Sequence, residues 1–160
     1  MKIALGADHR GYEVLHHLVH WLGQQEHEVV QIGPSAGKAC DYPDTAWGVA
    51  KAVAEAQCDR GILVCGSGIG MSIAANKIHG VRAALVHDEI GADMSRRHNN
   101  ANILCLSADM LGHRIIDRLV RTWLTTEFEG GRHARRVQKI HAIERGDDPT
   151  RLASPAALAK

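Results

Sequence analysis

No charge of one sign dominates this sequence. Its 160 residues carry 19 Lys and Arg against 18 Asp and Glu, a formal net charge of +1 with histidine neutral. Such a balance creates no overall field for nucleic acid or for an anionic membrane surface, and neither partner is expected. No run of about 18 apolar residues occurs, which excludes a spanning helix of ordinary length. The opening segment Met1–Gly6 enters a strand-like run at once, without the long apolar region or small-residue cleavage site of a signal peptide. The four cysteines, at 40, 58, 65 and 105, form no C-x-x-C pair and no zinc-finger spacing with histidine. Reduced thiols in a cytoplasmic protein are the expectation.

Two familiar phosphate motifs are also missing. A dinucleotide fingerprint G-x-G-x-x-G starting at Gly66 would need glycine where Met71 stands, and a P-loop's Gly-Lys-Ser/Thr is nowhere in the chain.

What is present is an alternation. Short apolar runs at Lys2–Ala7, Glu28–Ile32, Gly61–Cys65, Val81–Val86 and Ile103–Leu106 have strand length. Between them lie segments of helical period: Gly11–Gln25 (Leu15, Leu18, Val19, Leu22), Pro43–Gln57, Gly68–Ile78 and Asp88 to about His98. His113–Thr126 follows, with Ile116, Leu119, Val120 and Trp123 on one face, and then Gly130–Arg145 with a basic face. Strand-helix alternation of this kind predicts an α/β fold, an open five-stranded parallel sheet between two helical layers. Residues 1–145 read as one domain, and 146–160 as a tail that is mobile or packed on a neighbour. Ligands in such folds bind beyond the carboxyl ends of the strands.

The most apolar run ends in Cys65-Gly66-Ser67-Gly68-Ile69-Gly70-Met71. Glycines at 66, 68 and 70 let successive N–H groups turn inward at the start of a helix, which makes a cradle for negative charge. Cys65 stands at its entrance, and a helix N-terminus favours the thiolate form of a cysteine. Two chemistries fit: a base beside donors that hold an enediolate oxygen, or a covalent nucleophile. The residues alone leave both open. Asp8-His9-Arg10 ends the first strand, and Arg96-Arg97-His98-Asn99-Asn100 closes the fourth helix. Arg132 and Arg136 lie four apart, on one helical face.

Together, Ala7-Asp8-His9-Arg10-Gly11, Asp41-Tyr42-Pro43, Gly61–Lys77, Ser95–Asn99 and Glu129–His133 resemble the ribose-5-phosphate isomerase B family, which includes the galactose-6-phosphate isomerase subunits. The likeness covers about residues 2–145. It implies a Rossmann-like subunit and an aldose–ketose isomerase of a phosphorylated sugar, ribose 5-phosphate first and a hexose or tetrose phosphate as alternatives. It implies no metal and no organic cofactor. It also implies a homodimer or pair of dimers, with a C-terminal helix reaching the partner and active sites built between subunits.

By the same resemblance Cys65 would be the base, and Gly66, Ser67, Gly68 and Gly70 would hold the enediolate. His98 would open the sugar ring with help from Asp8. His9, Arg132 and Arg136 would bind phosphate, Asn99 would contact substrate, and Tyr42 would line the pocket. One position departs: Asp109 stands where ribose 5-phosphate-using relatives often carry arginine, and a lone carboxylate there would repel phosphate. A binding module without catalysis and a thiol-redox enzyme are the competing readings.

Overall fold

The computed structural model describes residues 1–34 and 38–152. Five strands, β1 (Lys2–Ala7), β2 (Glu28–Ile32), β3 (Arg60–Cys65), β4 (Ala83–Leu85) and β5 (Ile103–Ser107), form one parallel sheet in the order β2-β1-β3-β5-β4. The connecting helices are α1 (Tyr12–Gln24), α2 (Tyr42–Ala54), α3 (Ile69–Ala75), α4 (Glu89–Arg97) and α5 (His113–Thr125), followed by α6 (Gly131–Glu144).

The strands alternate sides with period two, and this alternation builds two cores. Ile3, Leu5, Ile62, Val64, Leu104 and Leu106 face one layer, where they meet Leu18 and Leu22 of α1 and Ile116, Leu119 and Trp123 of α5. Ala4, Leu63, Cys65, Ile103 and Cys105 face the other, against Ala46, Val49 and Ala50 of α2 and Met71 of α3. The alanines of α2 let its backbone settle close to β1. A side chain at Gly6 would lie 2.6 Å from Thr45 and 2.8 Å from Val49.

α2 ends at Ala54 rather than Gln57, and two elements are cut back further. α3 stops at Ala75 rather than Ile78, because the Asn76 side chain takes over: its Nδ2 donates to the carbonyls of Ser72 and Ala83, both at 2.8 Å, while its Oδ1 accepts from Ala83 N–H at 2.9 Å. β4 shrinks from Val81–Val86 to three residues, since Val81 N–H closes the α3–β4 turn on Ile78 O and Arg82 N–H is bound by the Asn102 side chain.

Beyond α6, a 3-10 turn at Pro149–Arg151 folds back on the same chain, where Lys139 Nζ donates to Pro149 O at 2.7 Å. The rest of the expected tail, 153–160, lies outside the described residues.

Candidate active site

The order of strands reverses between β1 and β3: the chain steps from β1 outward to β2, then returns past β1 to β3. The carboxyl ends of these two strands therefore flank a crevice, the usual place for a ligand in an open parallel sheet. The loop after β1 is pressed into it. Asp8 N–H donates to Val64 O at 3.2 Å, and a side chain at Gly11 would meet that same oxygen at 2.5 Å. Asp8 is 7% exposed, and its Oδ1 accepts from Arg10 N–H (2.9 Å) and Gly11 N–H (3.1 Å). The carboxylate thus turns the backbone into α1, an Asx-type turn, and it fixes His9 and Arg10 at the crevice. Beside it a cavity of about 650 Å³ opens at the ends of β1 and β2, lined by Asp8, His9, Tyr12, His16 and Lys38.

Cys65 ends β3 on the α2/α3 side of the sheet and is 5% exposed. Its Sγ accepts the Gly68 N–H at 3.1 Å. Gly68 has φ +75°, and a side chain there would sit 2.5 Å from Leu85 and 3.0 Å from Leu106 O. Only glycine can turn the loop so that its amide meets the sulfur. The first-turn N–H groups of α3 that follow have no helical acceptor. Tyr42 closes this side, its ring lying 2.6 Å from where a Gly70 Cβ would stand. Ser67 Oγ accepts from Ile69 N–H at 3.3 Å. Cys105, on the neighbouring strand, is an interior thiol. Burial, and then the nearby Cys65, push it far above the usual thiol range, so it stays protonated.

Asp109 does not stand alone. Arg10 reaches it through Nε and Nη2, both 2.9 Å from Oδ2. The repulsion expected of an isolated carboxylate beside an anion site is therefore offset by a guanidinium 99 residues away in sequence. The turn carrying Asp109 is stapled to the cradle by Ala108 N–H on Cys65 O (2.9 Å), Asp109 N–H on Gly66 O (3.1 Å) and Ser107 Oγ on Gly66 O (2.6 Å).

The remaining predicted residues form a second group toward the amino ends of the strands. α4 runs back from the carboxyl side to the amino side, so its end lies by the beginnings of β4 and β5, where Arg82 Nε donates to the carbonyls of Asn99 (3.1 Å) and Asn100 (3.0 Å). β3 advances about 16 Å from Arg60 to Cys65. His98 and Asn99 thus lie a strand's length from the thiol of their own chain. His98 stacks on His133, with ring centroids 4.1 Å apart and planes 3° from parallel. Glu129 ties the turn before α6 to α4: its N–H donates to Arg97 O (3.1 Å), and its carboxylate accepts from Arg97 Nη2 (3.1 Å). That bond holds the Glu129 carboxyl below its usual range. Burial, and then His98, hold the His133 imidazole below the usual histidine value. Arg132 Nε donates to His133 Nε2 at 3.2 Å. Arg136 is exposed on the same helix.

Arg96, from the same basic run, is instead structural. It is buried over the Trp123 ring with Nη1 2.6 Å from Ala101 O, and burial followed by the nearby Arg60 lowers its pKa to about 10.

His98, Glu129 and His133 bring three potential ligand atoms within 4.8 Å of one another. The donor set does not fit a cation: Arg132 donates to His133 Nε2 and Arg97 to Glu129 Oε2, which sets two guanidinium charges against any bound cation. Glu129 and His133 stood in the sequence only as part of a motif, and Arg10 only as a neighbour of Asp8. The side-chain partners that give them weight are remote in sequence.

Residues 3–140 match the family model described as Ribose/Galactose Isomerase. Ribose-5-phosphate isomerase B of Escherichia coli is 43% identical over 143 residues, 89% of this chain and 96% of that protein. A D-erythrulose-4-phosphate isomerase of Pectobacterium atrosepticum is 38% identical over 145 residues, 90% of this chain and 95% of the other. The solved structure of Clostridium thermocellum ribose-5-phosphate isomerase B superposes with a TM-score of 0.90 at 46% identity, covering 91% of this chain and 99% of that one. With the match running from β1 into α6, and the cradle and both basic groups inside it, the chain belongs to the ribose/galactose isomerase family.

Proposed function

We propose that this chain is a cofactor-independent aldose–ketose isomerase whose substrate is ribose 5-phosphate, converted to ribulose 5-phosphate, with Cys65 as the base. The observation that carries the reading is the pairing of Cys65 Sγ with the Gly68 N–H (3.1 Å) at the mouth of a glycine loop. A thiolate so held takes the proton from C2 of the open-chain aldose. The loop's N–H groups hold the enediolate oxygens, the O2 hydroxyl proton passes to O1, and the proton held on Cys65 returns to C1. No covalent bond to sulfur is needed, and no cysteine lies at C-x-x-C spacing to resolve one. The E. coli and Clostridium relatives named for ribose 5-phosphate support the pentose, and the Arg10–Asp109 pair removes the objection from a lone carboxylate. The Pectobacterium relative supports a tetrose phosphate as the second reading.

The working site is completed by a second copy of the chain. One copy supplies Cys65, the cradle, Asp8, His9 and Tyr42. The other supplies His98 to protonate the ring oxygen on opening, Asn99 to contact substrate, and Arg132 and Arg136 on α6 to bind phosphate. Two facts support this: the two groups lie toward opposite ends of the strands, the cradle after β3 and His98-Asn99 by the start of β4, and the rim of the cradle is apolar and open, with Trp47 56%, Ile73 57% and Ile69 49% exposed. Residues 1–145 act as one catalytic domain in each copy.

The test is an isomerase assay across ribose, allose, galactose and erythrose phosphates, with the sedimentation of the active species. Highest kcat/KM on ribose 5-phosphate by a dimer or larger assembly is expected. Turnover of none of them, or full turnover by a monomer, would overturn the reading.

A further inference from the structure

The Arg10–Asp109 pair sits on the glycine that follows Cys65. A Cβ at Gly66 would lie 2.8 Å from Asp109 Oδ2 and 3.0 Å from Arg10 Nε. The backbones of both residues are fixed from behind. Arg10 N–H is bound by Asp8 Oδ1 at 2.9 Å, and Asp109 N–H donates to Gly66 O at 3.1 Å. The guanidinium thus lies against Gly66, the residue that follows the thiol.

The bonding is one-sided. Nε and Nη2 both converge on a single oxygen of Asp109, so one edge of the guanidinium is spent. Among the described residues Nη1 has no acceptor within hydrogen-bond distance, and the Arg10 side chain is 57% exposed. The outer Nη1–Nη2 edge has the geometry that accepts two oxygens of a phosphate. An ion pair this exposed contributes little to stability, so a purely structural role leaves its position unexplained.

We propose that Arg10 is a specificity-determining residue that binds the substrate's phosphate through its outer edge, with Asp109 as the positioning residue that aims it. The proposal rests on the sugar-phosphate isomerase reading above. It assigns a cation from the β1 loop of the same copy that carries Cys65, separate from the partner's Arg132 and Arg136. Asp109 then serves to orient the phosphate's counter-charge, at the cost of a negative charge that only Arg10 neutralises.

The test compares the parent with Arg10→Ala, Arg10→Lys, Asp109→Asn and the double variant Arg10→Ala/Asp109→Ala. The readouts are kcat, KM for the sugar phosphate, and the inhibition constant of inorganic phosphate. Arg10→Ala is expected to raise KM and the phosphate inhibition constant by at least about tenfold, the loss of one charge-assisted contact, with kcat within a few-fold. Arg10→Lys recovers part of this, and Asp109→Asn weakens phosphate less than Arg10→Ala does. The double variant binds phosphate more tightly than Arg10→Ala, because the uncompensated carboxylate is gone.

Unchanged KM and phosphate inhibition in Arg10→Ala would overturn the proposal. So would a loss confined to kcat and thermal midpoint and shared equally by Asp109→Asn, which marks a structural clamp. If the parent turns over sugar phosphate and Arg10→Ala behaves as the parent, this inference fails and the isomerase reading stands. If the parent turns over nothing, but phosphate binding by calorimetry still falls in Arg10→Ala, the isomerase reading fails and the anion site stands.

Discussion

Gly68 and Gly80 share a positive φ and differ in surroundings, so alanine at each separates two costs. Both have positive φ, +75° and +81°. A left-handed non-glycine residue costs roughly 1–2 kcal/mol, offset by roughly 0.4–1 kcal/mol from the stiffer unfolded chain. Around Gly80 a new Cβ meets nothing within 4 Å, so Gly80→Ala should cost only that difference, about 1 kcal/mol. At Gly68 the methyl would press on Leu85 at 2.5 Å and on the Leu106 carbonyl at 3.0 Å, and backbone cannot step aside as a side-chain tip can. Overpacking of this kind adds roughly 1–3 kcal/mol, so Gly68→Ala should cost about 2–4 kcal/mol in all. For a chain of this size that is a fall in thermal midpoint of roughly 5–15 °C, against about 2–4 °C for Gly80→Ala. The same displacement pulls the Gly68 N–H off Cys65 Sγ, and losing a hydrogen bond to a charged sulfur, worth about 1.5–3 kcal/mol, should lower kcat roughly 10- to 100-fold. Urea unfolding and initial rates read both effects. Equal destabilisation by the two variants, or parent-like kcat in Gly68→Ala, would refute the reasoning.

Two further predictions follow from the split site and from the stacked imidazoles. Cys65→Ala and His98→Asn should each be inactive alone. Mixed and reassociated, they should recover about one quarter of parent activity, since half the dimers are hybrids and each hybrid has one whole site; no recovery in an assay of the mixture would place both residues in one copy's site. Because burial and His98 depress the His133 pKa, the folded state holds this imidazole neutral while the unfolded chain takes up its proton near the ordinary value of 6.5. Its stabilising contribution is complete above that pH and is lost as pH falls below it. Urea midpoints of the parent should therefore drop more steeply between about pH 7 and pH 5.5 than those of His133→Asn. Glu129 does not confuse this window, since Arg97 holds its carboxyl ionised below it.

The elements were legible because their periods are clean. The alternation of Ile62 and Val64 against Leu63 and Cys65, and the stripe Ile116-Leu119-Val120-Trp123, are properties of the chain itself. The order of strands was not, because β5 slides between β3 and β4 through register pairs that no local pattern encodes. Cys65 and its glycines were legible as a cradle, since strand, loop and helix are contiguous. The pairing of Arg10 with Asp109 and the stack of His98 on His133 were not, because each joins residues brought together only by the sheet and its helices. The same distance hides the partner of Asp109, whose charge is paired only in the fold.

The central claim is proton transfer by Cys65, and its most direct measurement is exchange of the substrate's C2 proton with solvent deuterium in the parent, Cys65→Ala and Cys65→Ser. The parent should incorporate deuterium, while both variants should lose exchange together with turnover, by about 100-fold or more for a lost general base, with thermal midpoints close to the parent's. Exchange at the parent's rate in Cys65→Ala would contradict the account.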